Sequence, residues 1–192
     1  MQKPNDYDTA RTMGESKKLP PNGYICVIKD AEERKTKKGA DMLVAVLDIY
    51  EGEYKDFFMD KYEEKKSYAK PGTKAKYPND GIAYLPVYTN EGKTSRKFKT
   101  FCEALQASGT SLEWNENFAK SMVGKLIGVV FGREESEYDG KTWWACKPFT
   151  FKSVDDIRNG NFSVPDDRPL EQDDYQPPNG FSALSDDDVP FK

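Results

Sequence analysis

The sequence predicts a mainly β fold: a five-stranded barrel with one main helix and a short second helix, followed by a disordered acidic tail. Three observations carry that prediction. Short β-rich runs bounded by turn residues recur through roughly the first 150 residues. An amphipathic run after Ser95 has helical spacing. Beyond Ile157 the composition collapses into Asp, Pro, Asn, Ser and Gly. With 36% hydrophobic and 32% charged residues in 192, the chain has material for one ordinary domain with polar ends.

Residues 1–22 read as a flexible N-terminal arm closed by the turn signal Leu19-Pro20-Pro21-Asn22-Gly23, and residues 23–157 as the domain. Tyr24 to Lys29 is the first strand. A charged loop, Glu32 to Gly39, leads to a long strand from Met42 to Tyr50, apolar on nearly both faces. Glu51-Gly52 marks a turn or bulge before Tyr54 to Phe58. Residues 60–93 mix Lys, Tyr, Gly and Pro, with one strand at Ile82 to Tyr88.

Phe98, Phe101, Cys102 and Leu105 fall at i, i+3, i+4 and i+7, with Gly109 where a C-cap belongs. A shorter helical segment spans Trp114 to Lys120. Leu126 to Tyr138 and Lys141 to Lys152 flank Asp139-Gly140, a two-residue hairpin turn that pairs Tyr138 with Lys141. In that register Ile127, Val129, Phe131, Trp144, Cys146 and Pro148 share the apolar face. Gly128, Val130, Gly132, Trp143, Ala145 and Lys147 share the other. A helix between the third and fourth strands fits an OB-like barrel.

Composition excludes several chemistries. There is no histidine, which removes Ser/His and Cys/His catalysis and the commonest transition-metal ligand. Cys26, Cys102 and Cys146 are odd in number and lie in apolar patterns, as buried free thiols do. The carboxylate pairs Glu134-Glu135 and Asp155-Asp156, and Asp41, Asp48 and Glu51 around one strand, form no metal or phosphate motif. No cofactor and no enzyme activity are expected. No apolar run is long enough to cross a bilayer and the N-terminus has no signal-peptide core, so a cytoplasmic protein is expected.

Charge is unevenly distributed. From Arg158 onward there are three basic residues against eight acidic, whereas Lys61 to Lys99 holds ten basic against four acidic. In that segment cations alternate with aromatics: Tyr62, Lys65, Lys66, Tyr68, Lys70, Lys74, Lys76 and Tyr77, then Arg96, Lys97 and Lys99 on the first turn of the main helix. Single-stranded nucleic acid needs that mixture, cations for phosphates and flat rings for unpaired bases. A solvated lysine-rich loop with its tyrosines packed on the barrel would read the same way. Cations on a helix's first turn oppose its dipole, which a visiting phosphate would relieve. Trp143, beside Lys147 on the face left open by glycines, is the expected stacking residue; the alternative is a tryptophan capping the barrel end.

The last residues are SDDDVPFK. This segment resembles the acidic C-terminal tip of bacterial single-stranded DNA-binding proteins, in which aspartates precede an aliphatic residue, Pro and Phe. The body, in LPPNGYICVIKDAE, VLDIYEGEYKDFF, FKTFCEAL and VGKLIGVVFGREE through SVDDIRNGNFSVP, is similar to a phage and prophage family of single-stranded DNA-binding proteins, formerly a domain of unknown function. The resemblance implies an OB-fold that coats single-stranded DNA during phage replication and recombination. It also implies a tip, Asp186, Asp187, Asp188, Val189, Pro190 and Phe191, that docks on replication and recombination proteins. Lys192 departs from the bacterial pattern, in which Phe is last, and puts docking on the usual host partners in question. The acidic segment is also expected to compete weakly with DNA for the basic surface. The alternative function is an adaptor in a phage recombination complex with weak DNA contact. An edge strand such as Ile82 to Tyr88 would serve a homodimer.

Overall fold

The structure, a computed structural model, describes residues 1–9, 17–36, 39–70 and 72–170. Five strands, β1 (Gly23–Lys35), β2 (Asp41–Ile49), β3 (Ile82–Pro86), β4 (Leu126–Tyr138) and β5 (Lys141–Lys152), form one antiparallel sheet in the order β3-β2-β1-β4-β5. The two ends of that order, β3 and β5, touch, so the sheet curls into an OB-like barrel. The curl depends on β1, which pairs with β4 through Val27 and then with β2 as far as Lys35. A register shift between Ile28 and Asp30 gives the strand its bend. β1 runs six residues past the end that apolar content predicts. Its charged half is held by ladder hydrogen bonds to Asp41–Val46, which need no apolar side chains.

Among the described residues four helices complete the fold, α1 (Phe57–Ser67), α2 (Arg96–Ala107), α3 (Phe118–Ser121) and α4 (Val154–Arg158), with one 3-10 turn at Asn79–Gly81. α2 is the helix the spacing predicts and buries Phe98, Phe101, Cys102 and Leu105. The Phe101 ring meets Phe151 of β5 edge-on at 4.9 Å. Each such ring contributes about 1.5–3 kcal/mol by leaving water. α3 is shorter than expected. Trp114 stays outside it, stacked on Phe118 at 4.6 Å with much of its surface exposed. Cys26 and Cys102 are buried free thiols, and Cys146 is a half-buried one.

α1 has no counterpart in the apolar pattern, because Phe57 and Phe58 are its only buried residues. Its start is fixed from outside. Asp56, at the N-cap with φ 58°, makes no side-chain cap, whereas Asp48 Oδ1 on β2 accepts the Phe58 N–H at 3.0 Å. The same oxygen accepts from Ile49 N at 3.0 Å. Asp48 is fully buried and its Oδ2 has no hydrogen-bond partner among the described residues, so burial pushes this carboxyl above the ordinary carboxylate range.

A folded-state value raised above the unfolded one of about 3.9 means stability present at low pH and lost as pH rises through the raised value. Asp48→Asn should keep the cap and flatten that decline, read by urea unfolding at a series of pH values. An unchanged pH slope would mean that Asp48 is not its source. Asp48→Ala, which leaves the Phe58 N–H unpaired, should cost about 1–3 kcal/mol at any pH.

The domain does not stop at Ile157. Asp155 and Asp156 form the first turn of α4, where Ser153 Oγ accepts from Asp156 N at 3.0 Å and donates to its carboxylate at 2.7 Å. That hydroxyl holds the Asp156 carboxyl below its ordinary range. From there the chain continues as a strap along β4. Gly128, Gly132 and Gly23 leave room for it: a Cβ at each would fall 2.5 Å from Ile157, 2.6 Å from Pro165 and 2.5 Å from Phe162. Arg168 N donates to Arg133 O at 2.9 Å and Glu135 N to Arg168 O at 2.8 Å, a short parallel pairing. The Arg133 guanidinium grips Asp167, with Nε at 2.9 Å from Oδ1.

The glycine face expected to be open is therefore covered by the protein's own chain, and residues 158–170 belong to the body. Composition conceals this because backbone bonds to the unpaired side of β4 hold a polar segment in place. At the other end, Leu19 of the N-terminal arm is buried in the core.

Candidate nucleic-acid interface

The distal half of the β4–β5 hairpin projects from the barrel. Asp139 and Gly140 both have positive φ, 53° and 69°, the geometry a tight Asp-Gly turn requires. Tyr138 pairs with Lys141 as the turn predicts, but the ladder shifts between Val130 and Phe131, leaving Phe149 as an extra residue on β5. Phe131, Ala145 and Cys146 still pack on the barrel, but nearer the turn neither face meets the core. Trp143 is 47% exposed and Trp144 46%. The sequence places Trp144 in the apolar face with Ile127 and Val129; in the structure its ring stands at the surface, with the Arg133 guanidinium 5.8 Å from its centroid.

Across from the hairpin lie α1 and the 3-10 turn. Two adjoining grooves of about 580 and 480 Å³ run between them and share Lys61, Asp80, Trp143 and Ala145. The first is walled by Lys18 to Pro21, Phe57, Arg133 and Trp144; the second by Lys65, Ser136 and Lys147. Lys147 Nζ donates to Glu134 at 3.0 Å and to Ser136 at 2.9 Å, which stands it upright on the strand beside Trp143. Lys61 lies 4.2 Å above the Phe57 ring, and its burial lowers the ammonium's proton affinity. Asp80 sits among Lys147, Lys61 and Lys65; burial raises its carboxyl, and the three lysines oppose that rise. The result, among the described residues, is a channel lined by five cations and two carboxylates, Asp80 and Glu64, with two indole rings on one wall; Arg133 is paired with Asp167 and Lys147 with Glu134.

Of the residues the sequence singles out, Lys65, Trp143 and Lys147 meet in this channel. Arg96 and Lys97 line a different groove, between α2 and β5. Lys99 pairs with Glu103 at 3.5 Å and Lys66 with Glu63 at 3.3 Å, both on exposed helix surface. Tyr68, Lys70, Lys74 and Lys76 stand exposed on the connection that follows α1, away from the channel walls.

Tyr77 is not a stacking platform. Its hydroxyl donates to Leu47 O at 2.9 Å, its ring packs on the core, and burial raises its proton affinity. Tyr62 leans on that ring at 5.7 Å. Lys18, Lys61, Arg133 and Trp144 are channel residues the sequence does not single out. The signal that could have found the last two is hairpin length: strands of 13 and 12 residues outrun the barrel wall, so neither face of their far ends is a core face. The tip Asp186, Asp187, Asp188, Val189, Pro190 and Phe191 lies outside the described residues.

Among the described residues no cluster of Cys, Asp and Glu could hold a metal ion, and no helix is long and apolar enough to cross a membrane. Comparison with the curated proteins finds no match. Residues 5–157 match a family described as "Protein of unknown function (DUF669)". That match spans the arm, the barrel and all the channel residues, and the chain belongs to this family.

Proposed function

We propose that the protein binds single-stranded DNA without catalysis and with little sequence preference, coating it during phage replication and recombination. The observation that carries this reading is the pair of half-exposed indoles in a channel of an OB-like barrel that Lys18, Lys61, Lys65 and Lys147 also line. Stacked bases contribute about 1–3 kcal/mol each and every base offers a π-face, so the recognition tolerates sequence. Lys18, Lys61, Lys65 and Lys147 follow the phosphates. Asp80, drawn among three of these lysines, is the internal counter-charge that a phosphate displaces. Such a role places the protein in the cytoplasm, where single-stranded intermediates form. The segment Asp186 to Phe191 would then recruit replication or recombination proteins to the coated strand.

The test is tryptophan fluorescence titrated with an oligo-dT of roughly 30 nucleotides at several salt concentrations. Quenching is expected, with a log–log salt slope at least as steep as about −3, since single strands contribute about −0.7 for each of the four phosphates met by the channel lysines. No quenching and no complex at about 50 mM salt, where electrostatic binding is strong, would overturn the reading.

A further inference from the structure

On the far side of the Glu134–Lys147 ion pair lies another groove, of about 340 Å³, between α2 and β5. Three cations from two separate parts of the chain converge there: Arg96 and Lys97 from α2, and Arg168 from the strap. The strap fixes Arg168 twice, by the backbone pairing of Arg168 with β4 and by the grip of Arg133 on Asp167. Its guanidinium lies 4.0 Å from the Phe149 ring centroid. Among the described residues, none of Arg96, Lys97 and Arg168 is in an ion pair. Glu134, the one carboxylate lining the groove among the described residues, is already held by Lys147 at 3.0 Å. Lys97 is half-buried; burial lowers its proton affinity, Glu134 attracts it and Arg168 repels it, so one carboxylate already bonded to Lys147 faces three further cations. An arrangement of that kind is relieved by an anion that supplies several oxygens.

We propose that this groove binds the phosphodiester backbone of the same single strand, which runs along the outer side of β5 from Trp143 past Lys147 to Phe149. The path spans six residues of strand, about 20 Å. Arg168 closes it, so the strap is part of the binding surface although the sequence around it is acidic. This extends the function proposed above and rests on it.

The experiment uses the full chain and oligo-dT, with fluorescence anisotropy over a salt series. Arg96→Ala/Arg168→Ala removes two exposed cations that are in no ion pair among the described residues, and the thermal melt should hardly shift. The variant should bind about tenfold more weakly at moderate salt. Its salt slope should be shallower by about 1.4, two phosphates at about 0.7 each. Arg96→Lys/Arg168→Lys should restore most of the slope, which a purely structural role for Arg168 would not do.

An alanine variant that keeps wild-type affinity and slope, while Trp143→Ala binds weakly, overturns the groove and leaves the channel standing. A wild-type chain that does not bind oligo-dT overturns both. A thermal melt of each variant separates lost binding from lost fold.

Discussion

Trp143→Ala/Trp144→Ala should lose most of the protein's affinity for oligo-dT. Each ring is expected to contribute about 1–3 kcal/mol of stacking, so each single variant weakens binding at least several-fold and the pair by roughly twice the free energy of one. Stability should hardly move. The rings are 47% and 46% exposed, and the contact between Arg133 and Trp144 is a surface one. Binding and melting temperature measured on the same preparations decide the matter. Normal binding with a lowered melting temperature would make the tryptophans part of the hairpin's support. Loss of binding with an unchanged melt is the expected pattern. The single variants also rank the rings, since Trp143 borders both grooves and Trp144 only the first.

Phe58→Ala should have the largest effect on the fold, about 3–5 kcal/mol in urea unfolding. The side chain is 1% exposed, lies nearly parallel to Phe131 at 5.8 Å and meets Phe57 edge-on at 5.1 Å. Gly81 approaches so closely that a Cβ there would sit 2.7 Å from the ring. Because α1 buries only Phe57 and Phe58, removing one ring takes away one of the two side chains that anchor the helix by packing. Lys61 and Lys65 ride on that helix, so the variant should also bind DNA less well under conditions where it is still folded. A cost below about 1 kcal/mol would show that α1 is held mainly by Asp48 and not by packing.

The barrel was legible where local chemistry decides structure. Asp139-Gly140 requires a tight turn, and from it the distal register follows residue by residue. The spacing of Phe98, Phe101, Cys102 and Leu105 requires a helix, and Gly109, with φ +85°, ends it. The sequence is silent where distant backbone decides. α1 begins where an aspartate ten residues away receives its N–H, and no periodicity records that bond. The strap is polar and reads as linker, yet unpaired groups on β4 hold it.

The site was legible in part for the same reason. Alternating cations and rings locate a region, but cannot distinguish Tyr77, whose hydroxyl turns inward to Leu47, from a ring offered to a ligand. Alternation along β5 predicts one buried tryptophan only if the strand stays on the barrel, and here it does not.

The pairing of Arg168 with Glu134 bears on how copies of the protein would behave if crowded along one strand, as the proposed function requires. β1 accompanies β4 only as far as Val130, so the outer half of β4 would otherwise offer free N–H and C=O groups to any passing strand. A bare edge of that kind is where sheets of neighbouring molecules fuse. With its own strap laid there, each copy answers that edge internally. Neighbouring copies can then sit close, as coating a strand would require, without that stretch of β4 joining them into a continuous sheet.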